Sequence, residues 1–235
     1  MTPGSDEDFA AARASVYTLL ATVFDGDVDQ LGVAIEADVF WTLAESVPGA
    51  PDVEPLRPPA PDRSTLSFGY DALFVVPGAH SVPPFASGHV VEPAESFDSD
   101  SIYRDDESTG EFLGTPAACA AGAYEQFGFM PTYGSEFPDS LPAMFEFVAL
   151  LATAESNADE DDVVAEFRAN QLAFLEREMT WIDSFADAVV ERDDVEGLYA
   201  TLARFASAFV AFDRELVSES VDETVDPVPS ADDGA

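Results

Sequence analysis

His80, His89 and Cys119 are the side chains of this chain, its carboxylates aside, with nucleophilic or metal-binding chemistry near neutral pH. The two histidines lie nine residues apart in a Pro-rich stretch rather than on one helical face, so no metal site is expected. His89 as a general base would need a nucleophile, and no Ser or Cys is placed beside it by spacing. Cys119 sits among Ala117, Ala118, Ala120 and Ala121, the setting of a small buried thiol rather than a reactive one. There is no Gly-rich phosphate loop, HExxH or GxSxG sequence. One residue in five is acidic, so no carboxylate pair stands out as an acid–base couple. No catalytic residue and no cofactor are expected. The chemistry left is recognition. Proline and aromatic side chains on loops can form a groove for an apolar peptide, and carboxylates at its rim would pair with arginines of that peptide.

The stretch that would position such a groove is 136–151. A short loop, Glu136-Phe137-Pro138-Asp139, runs into a strongly apolar helix. Asp139 or Ser140 can cap that helix, because a short side-chain oxygen there accepts from the free N–H groups of the first turn. Pro142 falls in the first turn, where its missing N–H costs nothing. Leu141, Met144, Phe145, Val148, Leu151 and Ala152 then recur at helical spacing.

The rest of the chain reads as helices. Ser5 is placed to cap a first helix with Phe9, Ala12, Val16, Leu19, Leu20 and Val23 on one face, ended by Gly26. Asp27 or Asp29 opens a second, with Leu31, Ile35, Val39, Phe40 and Leu43 inside, which Pro48 stops. Residues 48–62 carry six prolines and read as an extended linker. Ser64 caps a third helix through Leu66, Tyr70, Leu73 and Phe74, ending before Pro77. Residues 77–110 form a long Pro-rich loop of the functional or mobile kind, with an acid-rich run at 98–107. Thr115 and Pro116 are an N-cap and N1 pair for a small-residue helix over 117–126. Residues 159–194 contain no Gly or Pro and are expected to break into two helices within 176–180. A last helix spans 195–217, with Leu198, Leu202, Phe205, Phe209 and Phe212 on one face. Trp41 and Trp181 read as packing residues. The class is all-α: one bundle-like domain of about seven to nine helices over 1–217, then a disordered acidic tail, 218–235.

The 235 residues include 47 acids and nine bases, a net charge of −38, and every base is Arg. With 47% hydrophobic residues the chain can bury a sizeable core. A Lys-free, acid-covered surface over an ordinary core reads as a cytoplasmic protein of an extreme halophile, where molar salt shortens the Debye length to about 3 Å. Such charge argues against nucleic-acid partners and anionic membrane surfaces. No apolar run reaches the length of a membrane span and no signal peptide is evident. One cysteine excludes an internal disulfide.

Four segments resemble one family, the TorD/DmsD/NarJ chaperones. Tyr70-Asp71-Ala72-Leu73-Phe74, Pro77 and Pro83-Pro84-Phe85-Ala86-Ser87 resemble its Y-x-x-L-F-x-x-P and P-P-x-x-S signature. Glu136-Phe137-Pro138-Asp139-Ser140-Leu141 resembles E-x-P-D-H-L, with Ser140 at the family's histidine. Phe174-Leu175, Trp181-Ile182 and Phe185 resemble F-L-x-x-H-L-x-x-W-x-x-x-F without its histidine, and Gly197 to Ala203 resembles the last motif, F-Y-x-x-L-A. The resemblance implies an all-helical maturation chaperone that binds the twin-arginine leader, or the apo form, of a molybdenum-cofactor oxidoreductase until the cofactor is inserted. It implies Glu136 and Asp139 facing the arginines, with Pro138 and Ser140 beside them. Tyr70, Phe74, Pro83, Pro84, Phe85 and Ser87 would line the apolar part. A NarJ-like assembly factor for a non-exported reductase subunit is the alternative, and a helical enzyme using loop carboxylates and His89 is a third reading. The long loops also permit a domain-swapped homodimer.

Overall fold

The computed structural model describes residues 6–47, 49–90, 114–134, 137–193 and 197–225. The expected Ser5 cap, the stop at Pro48, Glu136, the acidic run 98–107 and the last ten residues lie outside them. Among the described residues there are nine α-helices and no strand beyond one isolated antiparallel bridge. They are α1 (Asp6–Phe24), α2 (Val28–Glu36), α3 (Val39–Ala44), α4 (Arg63–Tyr70), α5 (Thr115–Gln126), α6 (Leu141–Ser156), α7 (Asp161–Arg177), α8 (Ile182–Arg192) and α9 (Leu198–Val225).

Helix α6 is the centre. Eleven of its sixteen residues are buried, so it is apolar nearly all round rather than on one stripe. It packs most extensively against α1 and also against α7, while α9 lies across α7 and α8. Tyr17, Phe24, Phe145, Phe185, Phe205 and Phe209 fill the space between, each burial contributing about 1.5–3 kcal/mol. Tyr17 meets Phe209 edge-on at 4.9 Å, and Phe24 meets Phe185 at 5.8 Å.

The structure corrects several expectations. Val16, Leu20 and Val23 of α1 are buried as expected, but the inward face also holds Ala10, Arg13, Ala14, Tyr17, Ala21 and Phe24. Phe9 and Ala12 are exposed, and Arg13 points inward in their place. The second helix is two, broken at Asp38, whose φ of 55° is left-handed. Asp tolerates that region better than most residues, and here its carboxylate accepts from Arg57 at 3.1 Å. The Pro-rich stretch after α3 is not a free linker. Val53 and Leu56 enter the core, and the Arg57 guanidinium lies 4.1 Å over the Trp41 ring. Asp62, not Ser64, caps α4, accepting from Thr65 N at 3.0 Å. Thr115 is the first residue of α5 and Gly114 its N-cap. The break within 176–180 is present: α7 ends at Arg177, and the turn to α8 sends both Met179 and Trp181 into the core. Helix α9 continues to Val225, past the expected start of the tail at 218, since the first residue able to stop it is Pro227.

Candidate functional site

Helix α4 ends in a single π turn, Asp71–Val75, closed by Val76 N donating to Asp71 O at 2.8 Å. Single π turns inside helices are frequent at functional sites. This one turns Leu73 and Phe74 inward and leaves Val75 and Val76 each 56% exposed, with Phe68 at 68% two turns earlier. The Tyr70 hydroxyl donates to Phe24 O at 2.8 Å, satisfying a carbonyl at the end of α1. Its ring lies on Gly26 (φ 97°), where a Cβ would come within 2.9 Å of Tyr70 Cε1. Burial pushes the Tyr70 phenol up. Phe74 packs against Tyr70 (5.2 Å), Tyr199 (5.7 Å) and Phe185 (6.0 Å). Tyr70 and Phe74 are therefore the floor under this surface, not its outer lining.

The Pro-rich segment and the Pro-Asp loop, more than fifty residues apart in sequence, are knotted together. Leu141 N donates to Pro84 O and Ala86 N donates to Asp139 O, both at 2.9 Å, and these bonds flank the bridge between Phe85 and Ser140. The Phe85 and Phe137 rings pack at 4.7 Å. Ser87 N donates to Asp139 Oδ2 at 2.9 Å. The Tyr124 hydroxyl donates to Pro138 O at 2.7 Å. His89 Nε2 lies 2.8 Å from Pro83 O, so that nitrogen carries the proton. The imidazole stacks on Trp181 at 5.5 Å and 16°, and burial pushes its pKa down, which keeps it neutral. Through Phe185, which meets both His89 and Phe74, the knot and the π turn share one aromatic floor.

Asp139 is 1% exposed. Its carboxylate, expected to face a ligand's arginine, is instead turned inward and held by the Ser87 amide, a correction that follows from the pairing of the two loops. Ser140 caps α6, accepting from Ala143 N at 3.4 Å while its hydroxyl donates to Gly134 O at 3.2 Å. Gly134 has φ 54°, and a Cβ there would lie 2.0 Å from Ser140 Oγ. The tightness of this contact accounts for a small residue at 140: a histidine would have to displace Gly134. Pro84, Phe85, Ser87, Pro138, Asp139 and Ser140 thus come together, Pro83 stands exposed beside them, and Tyr70 and Phe74 lie beneath. Replacing Gly134 with Ala is expected to lower stability by roughly 1–3 kcal/mol, from left-handed strain plus the displaced cap. Urea unfolding of the variant checks this, and an unchanged midpoint would mean the loop does not hold α6.

Spacing did not reveal a buried polar network at the centre of the helix packing. Arg13 of α1 donates to Asp213 of α9 at 2.7 Å and to Gln171 of α7 at 3.3 Å, and it pairs with Glu155 of α6. Glu155 also accepts from Arg168 at 2.7 Å and Gln171 at 2.8 Å, and Tyr17 donates to Asp213 at 2.8 Å. The available signal was an arginine on an apolar face in a chain with only nine bases. Among the described residues no cluster of His, Cys, Asp and Glu could hold a metal ion, and no helix is long and apolar enough to cross a membrane.

Residues 38–187, which contain both halves of the knot, match the family described as the nitrate reductase delta subunit. The chain belongs to this family. This TorD/NarJ group consists of redox-enzyme maturation chaperones, and the chain is a chaperone of that kind rather than an enzyme. The chaperone protein TorD of Shewanella oneidensis is 26% identical over 238 residues, covering 94% of this chain and 98% of that protein. A solved structure of a redox enzyme maturation protein from Archaeoglobus fulgidus has a TM-score of 0.47 at 23% identity, covering 93% of this chain and 97% of the other.

Proposed function

We propose that this chaperone binds a molybdenum-cofactor oxidoreductase in the cytoplasm, through its twin-arginine leader or in its apo form, and holds it until the cofactor is inserted and the enzyme can be exported. The observation that carries this reading is the exposed apolar strip of Phe68, Val75 and Val76, next to the exposed prolines Pro77 and Pro83. It is raised on the π turn and braced from below by the knot, so both signature segments serve one surface. Exposed apolar area of this kind marks an interaction site. The knot residues Pro84, Phe85, Ser87, Pro138, Asp139 and Ser140 act by holding the strip in shape. An unfinished client offers apolar segments that such a strip would shield, and leaders carrying an arginine pair are addresses read by receptors.

The test is titration of the protein, in about 2 M KCl so that surface repulsion is screened, with a synthetic twin-arginine leader and its twin-lysine counterpart. Micromolar or tighter binding of the first and at least tenfold weaker binding of the second, about 1.4 kcal/mol, are expected. The description of the matched family favours one second reading, a NarJ-like factor for a reductase subunit that is not exported. Equal binding of both peptides would support it, and no binding of either would overturn the leader reading.

A further inference from the structure

A cavity of about 260 Å³ lies where α1, α6, α7 and α9 meet, against the Arg13 network. Part of its wall is apolar: Phe9 and Ala10 from α1, Leu216 and Val217 from α9. The rest is charged, with Arg13, Glu155 and Arg168 joined by ion pairs. Arg13 and Glu155 are each 4% exposed, so this charge is built into the fold rather than scattered on its surface. Two of the nine arginines thus border one small space, in a molecule of net charge −38. Glu155, the carboxylate in the lining, already accepts from Arg13, Arg168 and Gln171. One donor stays unmatched. The terminal nitrogens of Arg13 donate to Asp213, Gln171 and Glu155, but its buried Nε–H has no acceptor among the described residues. The guanidinium is a rigid planar fork, so Nε cannot turn to share those partners. Leaving a buried donor unmatched is costly, and the cavity that Arg13 borders has room for the missing acceptor. The Arg168 side chain keeps 18% of its surface exposed, so a solute there can reach it.

We infer that this cavity binds a small organic acid, with an apolar body and one carboxylate. The carboxylate accepts from Arg13 Nε and pairs with Arg168, and the hydrocarbon end lies against Phe9, Leu216 and Val217. Apolar walls with a few placed polar groups, between the helices of a bundle, are the usual setting of small-molecule sites. At roughly 30 Å³ for each water in the liquid, the space suits a ligand of up to about nine or ten non-hydrogen atoms. Hydrogen bonds between two ionised partners are stronger than those to a neutral one, so the acid is preferred over its amide. An inorganic anion would meet the arginines but leave the apolar wall uncovered. The bound acid would touch four helices at once, and a ligand held only by the folded state raises stability with its concentration. The chaperone would thereby be steadier when the acid is abundant. This site lies apart from the signature loops, and the inference does not depend on the client-binding reading.

The experiment titrates phenylacetate, and phenylacetamide as its neutral counterpart, into the full chain in about 2 M KCl, with calorimetry and the thermal midpoint as readouts. Saturable phenylacetate binding is expected, with a dissociation constant of about 1 mM or tighter and a midpoint that rises with its concentration. Phenylacetamide should bind at least tenfold more weakly. Arg168→Gln keeps a donor for Glu155 but removes the charge, so it should weaken phenylacetate at least tenfold and leave phenylacetamide within twofold. Ser220→Phe fills the cavity from α9 and should abolish both. Arg214→Gln removes the same charge from the exposed side of α9 and should change neither by more than twofold. Circular dichroism confirms that each variant is folded. No saturable phenylacetate binding, the result for a cavity that holds water alone, would overturn the inference. Equal binding of the two probes, or phenylacetate binding that survives both Arg168→Gln and Ser220→Phe, would overturn it as well.

Discussion

Arg13→Met is expected to destabilise the protein by about 3–5 kcal/mol, because removing one partner leaves buried charge uncompensated. Glu155 would keep Arg168 and Gln171 as donors. Asp213 would keep only the Tyr17 hydroxyl, so most of the loss falls there. Burial already pushes the Asp213 carboxyl up, against the opposing pull of Arg13 and Tyr17, and the variant would push it further. A carboxyl whose folded-state pKa lies above its unfolded value favours folding fully below the unfolded value and loses that contribution as pH rises through the folded one. The variant should therefore be weakest at neutral pH and recover in part toward pH 5. Urea midpoints at the two pH values, in about 2 M KCl, provide the check. A second variant, Arg13→Met with Asp213→Leu, should regain most of the stability, since an apolar replacement of a buried pair is often neutral or better. A loss below about 1 kcal/mol in the single variant would show that the network is not a keystone of the helix packing.

Salt should act on the whole molecule as strongly as that mutation acts on its centre. With 47 acids against nine arginines, self-repulsion opposes the compact state wherever the Debye length spans neighbouring side chains. That length is about 10 Å at 0.1 M and falls below about 3 Å at 2 M. The thermal midpoint is expected to rise by on the order of 10 °C between 0.1 and 2 M KCl, equivalent to roughly 3 kcal/mol at about 2–4 °C per kcal/mol. Scanning calorimetry at both concentrations measures it. Equal midpoints would refute the halophilic reading of the composition.

Most of the helical layout was legible in the sequence, because apolar spacing and proline positions are local signals. The start of α6 at Ser140 and Pro142, and the break between α7 and α8, follow from them. What was illegible depended on partners distant in sequence. Asp139 has the type and loop setting of a ligand-facing carboxylate, and only its pairing with Ser87, across the knot, shows it inward. Arg13 is held inward by Asp213 and Glu155, partners 200 and 142 positions away that no local pattern announces. Asp38 breaks a helix whose apolar pattern runs straight through it, since the left-handed turn is decided by Arg57 and the packed proline segment. The signature residues themselves were found by resemblance. Their division into an exposed strip, a floor and a brace was beyond any spacing argument.

The ion pair between Arg13 and Asp213 joins residues 200 positions apart, the first helix to the last. On the ribosome the arginine is made first, and its partner follows about 10–40 s later at 5–20 residues per second. Until then α1 has no complete seat, because α9 supplies one side of the core it packs against. Helices form within microseconds of emerging, but the centre of this fold closes only after nearly the whole chain has left the tunnel. A helper in the assembly of other proteins is thus itself a late folder, exposed during its own synthesis to the hazard it relieves in its client.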